Sequence, residues 1–519
     1  MPKITIKSAS VKEIEFEESI LLSQAVLQSG FMLDMPCAGN HTCGKCRVSV
    51  SGAISPMGAE EKRLLGESRD NTRLACMAFA VGDAEITLSG SVDHGDILSN
   101  GRLPNIAVDK AEENDFGIAV DIGTTTIVSY LCRLQSGELV NNICELNRQR
   151  QYGADVISRI AYCDEHSVAQ PQKTIISQLS EMFGQNISQA GIAASDIKKL
   201  TITGNTTMLH LLAGINPSSL ARVPFDVPCY FGLEKPADEL FEMFDSNTVL
   251  YLPYCISAYI GADIVSAITA AEVCEDSRRT LLLDIGTNGE MALWNNGRIT
   301  GCACAAGPAF EGAQIELGMT ATAGAISKVL LADGKVSWRT IANAKPTGLC
   351  GTGIISTVSL MKDIGVLDEG GAILEDDHDW PHLISEIDGQ PVFMIGESGV
   401  YLTQRDVRNV QLAKSAIAAG IDTLLYDQEL LEEEIERFVL CGGFGSYIDP
   451  YEAANIGLLP QSLIGRIEVH GNAAGSGAVA AMLSSGLRQK SERIAKEARE
   501  VSLSQSPFFM DRYIERMMF

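Results

Sequence analysis

A short motif that occurs twice most constrains the fold of this chain. Residues 116–126 read FGIAVDIGTTT, and residues 281–290 read LLLDIGTNGE. In both copies an apolar stretch leads into DIGT and a second apolar stretch follows. Each copy therefore predicts a strand, a tight loop and a returning strand. A duplicated unit of this kind predicts two similarly built α/β lobes, with helices after their strands.

Helical periodicity between and after the two copies agrees with this scheme. The pattern predicts helices over residues 155–163, 173–190, 256–271, 407–425 and 429–436, a helix of small residues over 472–483, and a charged amphipathic helix over 486–499. An apolar tail follows near residue 507, and we expect it to pack on another part of the chain.

The repeated loops carry the chemistry of a phosphate-binding site. Glycine lets the backbone turn so that its amides face an anion, threonine hydroxyls add donors, and the aspartate can hold a magnesium ion or its waters. A glycine-rich turn after the apolar strand 437–440 would let a flat nucleoside lie against the backbone. The predicted nucleotide contacts are Gly123, Thr124, Thr125, Thr126, Gly286, Thr287, Asn288, Gly289, Gly442, Gly443 and Phe444.

In order and spacing these three motifs resemble those of the sugar kinase, Hsp70 and actin superfamily of ATPases, called ASKHA. The resemblance implies a two-lobed, RNase-H-like α/β domain over residues 115–485, with ATP and Mg²⁺ in the cleft between the lobes. It assigns Asp121 and Asp284 to the metal and the attacking water, and Asp263 to the connecting carboxylate of the superfamily. A helix surface charge is the alternative for Asp263. Glu311 and Lys414 are weaker candidates for contacts with adenosine.

Other nucleotide-binding motifs do not occur in the sequence. There is neither a G-x-x-x-x-G-K-[ST] loop nor a G-x-G-x-x-G motif after a strand. Ordinary hairpin turns are the remaining alternative for the DIGT loops, and the recurrence of the same loop chemistry favours phosphate binding.

The spacing of four cysteines near the N-terminus predicts a second site. Cys37, Cys43 and Cys46 form C-x5-C-x2-C in one loop, and Cys76 follows. This is the plant-type ferredoxin arrangement with one residue added to the first gap, and four thiolates can hold a 2Fe-2S cluster. Zinc, which prefers two C-x2-C pairs, is the competing metal interpretation. Four ordinary buried thiols are the alternative without a metal.

With Leu74 and Ala75 before Cys76, the cysteines resemble a 2Fe-2S ferredoxin domain of the adrenodoxin branch. Short predicted strands and a helix over 23–30 fit an α+β ferredoxin-like (β-grasp) domain over residues 1–90. The polar, irregular residues 91–114 predict a linker, and residues 486–519 form the predicted C-terminal helix and tail.

Composition limits the partners of the chain. The sequence has 40 basic and 66 acidic residues, and its formal net charge of -26 argues against nucleic acid or an anionic membrane as a partner. No apolar run approaches the length of a membrane-spanning helix, and the N-terminus has no apolar signal core. Ten of the 14 cysteines lie outside the predicted cluster without paired spacing, which fits a reducing compartment. These features predict a cytoplasmic protein.

Three further motifs occur between residues 147 and 445: NRQRQYGAD at 147–155, GLCGTG at 348–353 and CGGFG at 441–445. Together with the cysteine motif they look like the reductive activators of corrinoid-dependent methyltransferases and corrinoid proteins. This resemblance implies that ATP drives the reduction of a corrinoid protein from inactive Co(II) to Co(I), with one electron from the cluster. An unidentified low-potential donor would resupply the electron. Because Asp121 follows the predicted linker almost at once, we expect the middle domain of larger relatives to be missing.

Two alternatives remain open from the sequence. One is a small-molecule kinase with an accessory cluster, and the other is a chaperone-like or redox-sensing ATPase. A base-off cobalamin motif, D-x-H-x-x-G, is matched only partly around His166, where the glycine is missing. We therefore read His166 as a surface residue and expect the corrinoid on the partner. The sequence also leaves a homodimer open.

Overall fold

The computed structural model describes residues 2–7, 11–17, 19–29, 41, 46–65, 71–88, 101–275, 277–332, 334–376 and 378–519. The chain divides into two compact units. The first consists of Met1–Asp93 and Arg148–Ser167, and the second of His94–Asn147 and Val168–Phe519.

The N-terminal part of the first unit is a mixed sheet with two short helices. Its strands are β1 (Lys3–Lys7), β2 (Val11–Glu15), β3 (Ile20–Leu21), β4 (Arg47–Ile54), β5 (Thr72–Leu74) and β6 (Phe79–Thr87), and its helices are α1 (Leu22–Gln28) and α2 (Ala59–Leu65). The strand order is β2-β1-β6-β4-β5, with β3 also paired to β6. Strand β1 is antiparallel to β2 and parallel to β6. The short strands and the ferredoxin-like fold predicted for this part are confirmed.

Alternation along β1 explains which face of this sheet is buried. Ile4 and Ile6 are fully buried, whereas Lys3 and Lys7 on the opposite face are exposed. Successive side chains of a strand point to opposite faces, so an apolar residue at every second position builds one side of a core. Leu74, next to the cluster cysteines in sequence, belongs to the same core.

The segment Arg148–Ser167 contains a 3-10 turn, Arg148–Tyr152, and helix α3 (Val156–His166). Asp155 caps α3, since its Oδ1 accepts a hydrogen bond from the Ser158 amide at 2.8 Å. His166 is exposed and stacks on Tyr162, with 4.5 Å between the ring centroids. Its position agrees with the interpretation of His166 as a surface residue.

The second unit contains two sheets of six strands. The first sheet is formed by β7 (Phe116–Ile122), β8 (Thr126–Arg133), β9 (Leu139–Leu146), β10 (Ile197–Gly204), β11 (Leu233–Pro236) and β12 (Val249–Leu252). The second sheet is formed by β13 (Thr280–Ile285), β14 (Gly289–Asn295), β15 (Arg298–Cys304), β22 (Arg437–Cys441), β23 (Ile467–Gly471) and β24 (Arg499–Glu500).

The two sheets have equivalent topologies. In the first, β7, β8 and β9 form an antiparallel meander, β10 runs parallel to β7, and β12 runs parallel to β10. In the second, β13, β14 and β15 form the meander, β22 runs parallel to β13, and β23 runs parallel to β22. The central strands β7 and β13 are buried along almost their whole length, as expected for strands covered on both faces. The duplicated α/β lobes predicted from the repeated motif are confirmed.

Helices and smaller sheets surround the two large sheets. The helices are α4 (Ala169–Ala190), α5 (Thr206–Ala213), α6 (Ala262–Ala270), α7 (Gly351–Asp363), α8 (Gln404–Asp427), α9 (Pro450–Asn455), α10 (Ala473–Leu483), α11 (Ser485–Glu497) and α12 (Pro507–Glu515). The three-stranded sheets are built from β16 (Ala325–Ala332), β17 (Lys335–Thr340) and β18 (Gly348–Leu349), and from β19 (Ile384–Ile387), β20 (Gln390–Met394) and β21 (Tyr401–Thr403).

Small residues bring α6 and α10 into close contact. Every residue of α10 is buried, and all but three of them are alanine, glycine or serine. A Cβ atom added to Gly477 of α10 would lie 2.0 Å from the Ser266 carbonyl oxygen of α6, so only glycine allows this approach. The predicted small-residue helix is therefore a contact helix of the core.

Two helix predictions were wrong in extent or type. The helix predicted over 256–271 begins only at Ala262, because the Ile256 and Ser257 amides both donate to the Ile260 carbonyl in a turn. The helix predicted over 429–436 is absent from this described stretch. There Glu429 has a φ of 53°, which ends α8, and only a 3-10 turn (Glu432–Glu434) precedes β22.

The predicted linker and tail are partly incorporated into the second unit. Residues 91–100 of the predicted linker lie outside the described residues. The Arg102 amide donates to the His470 carbonyl and the Asp109 amide to the Leu483 carbonyl, so residues 101–114 are fixed to this unit rather than free. At the C-terminus, α12 packs on α8, and Phe508 stacks on Tyr426 with 4.0 Å between centroids.

Candidate functional site

The two DIGT loops of the second unit lie at the turns of equivalent hairpins. Asp121 is the last residue but one of β7 and Asp284 the last but one of β13, each just before the loop that returns as β8 or β14. A Cβ on Gly123 would lie 2.7 Å from the Thr126 carbonyl oxygen, so the first turn requires glycine. In the second loop, the Gly286 amide donates to the Asn288 carbonyl at 3.0 Å.

The three predicted aspartates converge in one cleft. Asp121 and Asp284 come from the two sheets, and Asp263 lies in the first turn of α6. Burial raises the pKa of Asp121 to about 6 and that of Asp284 to about 7, with the charge of Asp121 adding to the second effect. Burial and the charges of Asp121 and Asp284 raise the pKa of Asp263 to about 8. Asp263 is therefore part of the carboxylate group and not a helix surface charge.

Gly261 explains how Asp263 reaches the other two carboxylates. A Cβ at Gly261 would lie 2.4 Å from the Cα of Asn205, so the start of α6 can approach the start of α5 only without a side chain there.

Glu290 is a fourth acidic residue of this cleft, and the sequence prediction missed it. It lies directly across the β13–β14 hairpin from Asp284, and its side chain is buried. Burial raises its pKa well above the usual value, and the charges of Asp263, Asp284 and Asp121 act in the same direction. Because residues paired across a hairpin share one face, the pairing of Asp284 with Glu290 could have indicated it.

Glu311 connects the two loops. Its Oε2 accepts a hydrogen bond from the Thr125 hydroxyl at 2.7 Å, and its Oε1 accepts one from the Thr287 hydroxyl at 2.7 Å. Its carboxylate therefore lies between the threonines of the two DIGT loops, and the contact of Glu311 with adenosine stays a prediction.

Asparagine side chains hold the first loop in place. The Asn147 Nδ2 donates to the Gly123 carbonyl at 2.8 Å, and the Asn205 Nδ2 donates to the Thr124 hydroxyl at 3.1 Å. Asn205 is also the N-cap of α5, where its Oδ1 accepts from the Met208 amide. These residues come from separate elements. Asn147 begins the NRQRQYGAD motif, but neither asparagine was predicted as part of the nucleotide site.

The predicted glycine turn lies beside the second loop. Gly442 has a φ of 89°, and a Cβ there would lie 2.6 Å from Asp284 Oδ1, so this position requires glycine. Gly443 has open space around it. Phe444 stacks on Phe310 with 5.4 Å between centroids. Gly351, at the start of α7, leaves room for the Phe310 carbonyl oxygen and the Phe444 ring.

A cavity of about 580 Å³ lies beyond this turn. It is lined by Ser327, Lys328, Arg339, Thr352, Tyr447, Asp449, Pro450, Tyr451 and Glu452. Its lining combines the rings of Tyr447 and Tyr451 with Lys328, whose ammonium pairs with Asp449 and Glu452.

Lys414 is not part of the cleft. It is buried, and its ammonium donates to the carbonyls of Arg516 and Met518 and lies 4.7 Å from the Phe519 ring centroid. Burial lowers its pKa to about 7. The predicted contact of Lys414 with adenosine was therefore wrong, because this residue anchors the C-terminal segment.

Two of the four predicted cluster cysteines lie within the described part of the first unit. The sulfur atoms of Cys46 and Cys76 are 3.3 Å apart, and both side chains are buried. Metal–sulfur bonds are about 2.3 Å, so both sulfurs can reach one metal ion. The His41 ring lies 2.9 Å from the Cys76 carbonyl oxygen. Cys37 and Cys43 lie outside the described residues.

A buried ion pair supports the segment before Cys76. Arg73 makes two parallel hydrogen bonds to the carboxylate of Glu61, at 2.9 and 2.8 Å, and the Leu74 amide donates to the same carboxylate. The pair fixes the chain just before the cysteine.

Within the described ranges, no helix is long and apolar enough to cross a membrane.

Two equivalent sheets with their DIGT loops meeting at one carboxylate cleft define an ASKHA-type ATPase fold. A sequence profile described as "C-terminal domain of RACo the ASKHA domain" matches residues 278–519, and one described as "RACo middle region" matches residues 116–276. The chain belongs to this family, the reductive activators of corrinoid proteins.

Individual relatives agree with this assignment. The chain is 34% identical over 439 residues to the corrinoid activation enzyme RamQ of Eubacterium limosum, covering 82% of this chain and 74% of that protein. A solved structure of a reductive activator for a corrinoid, iron-sulfur protein has a TM-score of 0.71 and 27% identity, covering 100% of this chain and 98% of that one. A ferredoxin of Trichomonas vaginalis is 36% identical over 90 residues, which are 17% of this chain and 81% of that protein.

The profile of the middle region matches residues 116–276, which include the first sheet and the first DIGT loop. These residues form the first lobe of the two-lobed domain, so the absence of a further domain between linker and ATPase stays a prediction. Residues 486–519, predicted as a separate tail, fall within the match of the C-terminal ASKHA domain.

Proposed function

We propose that this protein uses ATP to activate a corrinoid protein by reduction. In this reaction one electron passes from a 2Fe-2S cluster to the corrinoid, and inactive Co(II) becomes Co(I). The observation that carries the proposal is the combination, in one chain, of a ferredoxin-type unit and an ASKHA-type cleft. The relative with 34% identity, named as a corrinoid activation enzyme, combines with this observation to favour a corrinoid protein as the acceptor.

ATP would bind in the carboxylate cleft. The DIGT loops would receive the phosphates through Gly123, Thr124, Thr125 and Thr126, and through Gly286, Thr287, Asn288 and Gly289. The turn of Gly442, Gly443 and Phe444 would receive the nucleoside, with the adjacent cavity as the place for the base.

A magnesium ion fits the aspartates of this cleft. The pKa values of Asp121, Asp263 and Asp284 are raised, so the protein alone stabilises their negative charges poorly. A divalent cation would stabilise those charges. Within the described part of the chain no three acidic, histidine or cysteine side chains converge enough to enclose a metal by themselves. This suits Mg²⁺, which usually keeps several waters and binds one or two carboxylates together with substrate phosphates.

Within this arrangement the protein residues have distinct roles. Asp121 and Asp284 would hold the ion and its waters, and Asp263 would orient the attacking water, which must approach the terminal phosphate in line. A bound cation would lower the pKa of Asp263 from about 8, and its carboxylate could then accept a proton from that water. Asn472 keeps Asp121 in place through a 3.0 Å hydrogen bond.

The cluster would be held by Cys37, Cys43, Cys46 and Cys76, and it supplies single electrons when bound. The short distance between the Cys46 and Cys76 sulfurs fits this role. Plant-type clusters have potentials of about -400 mV, so reduction of an acceptor with a lower potential needs an energy source. ATP binding and hydrolysis can supply this energy if they favour a conformational state in which the acceptor is easier to reduce.

The corrinoid itself is assigned to the partner. His166, in the partial cobalamin motif, is exposed and stacks on Tyr162 within its own helix. An unidentified low-potential donor would reduce the cluster. We place the reaction in the cytoplasm, where unpaired cysteines remain reduced.

The experiment uses the full-length protein with its cluster, under anaerobic conditions, and the corrinoid protein of a methyltransferase system in the Co(II) state. With reductant and ATP, we expect loss of the Co(II) EPR signal and growth of the Co(I) absorption band. Omission of ATP, or its replacement by a non-hydrolysable analogue, should stop turnover. If Co(II) persists while a metabolite becomes phosphorylated in proportion to ATP consumed, the protein is a kinase and the proposal fails.

A further inference from the structure

The carboxylate of Glu311 accepts hydrogen bonds from two threonine hydroxyls that a bound phosphate would need as donors. A threonine hydroxyl has one hydrogen to donate. Thr125 and Thr287 each donate that hydrogen to a different oxygen of Glu311, at 2.7 Å in both cases. Neither hydroxyl can make this bond and also donate to a phosphate oxygen.

Glu311 also resembles the incoming group in chemistry. A carboxylate and a phosphate both present anionic oxygens that accept hydrogen bonds. One carboxylate here bridges two loops that come from different sheets, as a phosphate held between those loops would. Like charges repel, so a phosphate entering beside Glu311 would raise the free energy of the bound state until the carboxylate moved away.

The local backbone leaves Glu311 able to move while its neighbour stays fixed. Glu311 ends a 3-10 turn, Pro308–Glu311, between Gly307 and Gly312, both with a φ of 79°. The Glu311 side chain is only partly buried, and Gly307 has open space around it. Phe310, by contrast, is buried and stacked on Phe444 of the glycine turn. Rotation of one side chain can therefore free both hydroxyls without unpacking Phe310.

We propose that Glu311 is a phosphate surrogate that holds the two DIGT loops together in the nucleotide-free protein and is displaced when ATP phosphates enter. This inference rests on the proposed function, because it requires ATP in this cleft. Glu311 thereby lowers the affinity for nucleotides whose phosphates reach Thr125 and Thr287. It also keeps the empty cleft ordered.

The first test compares nucleotide affinities of the full-length protein by calorimetry in the presence of Mg²⁺. Glu311→Ala should bind a non-hydrolysable ATP analogue about tenfold more tightly than the wild type, because no internal anion competes for the hydroxyls. Adenosine, which has no phosphate, should bind equally to both. Glu316→Ala removes an exposed negative charge five positions further along the chain and should leave both affinities unchanged.

A double-mutant cycle with Thr125→Val separates competition from a general effect of charge. Without the Thr125 hydroxyl, the analogue should bind more weakly, and Glu311→Ala should then give a smaller gain than in the wild-type background. An equal gain in both backgrounds would show that Glu311 acts only through its charge and would overturn the surrogate role.

Amide hydrogen exchange gives a readout that does not depend on turnover. In the nucleotide-free protein, Glu311→Ala should exchange faster than wild type over residues 121–126 and 286–289, because the bridge between the loops is lost. With the ATP analogue bound, the two proteins should exchange alike.

Unchanged or weaker binding of the analogue by Glu311→Ala would overturn the inference and leave the proposed function standing, since the wild type would still bind ATP. Failure of the wild type and of every variant to bind ATP or the analogue would instead overturn the assignment of the cleft to ATP, and the surrogate role with it.

Discussion

Asn472 donates a 3.0 Å hydrogen bond from its Nδ2 to Oδ2 of Asp121, across 351 residues of sequence. Its Oδ1 accepts the Gly475 amide at 2.8 Å as the N-cap of α10. One side chain therefore fixes both the start of a core helix and the direction of a cleft carboxylate. The hydrogen bond to Asn472 also lowers the pKa of Asp121, against the larger upward effect of burial.

Asn472→Ala should have two separable effects. Loss of the helix cap should reduce the free energy of unfolding by about 1 kcal/mol. Loss of the bond to Asp121 should raise the pKa of Asp121 further, so that binding of Mg²⁺ and nucleotide reaches its midpoint at a higher pH. Ser506→Ala is the matched control, because Ser506 caps α12 by accepting the Phe509 amide. It should lower stability without moving the pH midpoint.

The nucleotide-free protein should lose stability as the pH rises from about 5 to 8. The folded-state pKa values of Asp121, Asp284 and Asp263 are raised to about 6, 7 and 8 from an ordinary value of 3.8, so in this range the folded state binds more protons than the unfolded state. The free energy of unfolding therefore falls with pH. Urea denaturation at several pH values measures it, and Mg²⁺ with nucleotide should reduce the fall.

Asp263→Asn tests whether the cleft carboxylates cause this fall of the free energy of unfolding with pH. The variant removes the group with the highest pKa of the three and should flatten the pH dependence at its alkaline end. A slope in the variant identical to that of the wild type would assign the effect to groups outside the cleft.

Asp284→Asn should reduce the ATPase rate at least a hundredfold, because the amide keeps the shape of the side chain but cannot balance the charge of a cation. Visible absorption of the cluster should stay unchanged, since Asp284 lies in the other unit. Asp238→Asn, at an exposed position of the same unit, should retain the full rate. ATPase activity close to wild type in Asp284→Asn would show that the phosphate site is misplaced.

Cys76→Ser should lower the iron content and remove most of the visible absorption of the cluster, because one of four ligands becomes a poor donor for iron. Nucleotide binding should be retained. The change should therefore stop reduction of the corrinoid protein while the cleft still binds ATP. A variant with unchanged iron and absorption would exclude Cys76 as a ligand.

Arg516→Met should destabilise the C-terminal segment by about 1–2 kcal/mol. Its guanidinium makes two 2.8 Å hydrogen bonds to Asp422, which is 9% exposed, and the remaining partner Arg512 cannot replace both. Limited proteolysis should cut the end of the chain sooner. Arg493→Met, at an exposed position of α11, should not change the rate of cleavage.

Most of the fold prediction rested on the repeated DIGT motif. An apolar strand followed by a glycine turn predicted a strand-loop-strand unit, and its recurrence predicted a second lobe. The short strands of the ferredoxin-like part were also predicted from the sequence. Helix limits were less predictable. The turn at Ile256–Ile260 and the close approach of Gly261 to Asn205 depend on neighbouring elements, so periodicity alone placed the start of α6 too early.

The sequence by itself indicated Asp121, Asp284 and the glycine turn from local chemistry, because a loop that turns tightly and presents a carboxylate can be recognised from a few adjacent residues. Asp263, on a helix, was indicated only by the resemblance to the ASKHA superfamily. Only the tertiary structure decided the roles of Glu290, Glu311 and Lys414. Glu290 lies in the cleft because it pairs with Asp284 across a hairpin. Glu311 bridges two loops that meet in space, and Lys414 donates to carbonyls of the C-terminal segment. Such contacts join residues that are distant in sequence, and no local pattern records them.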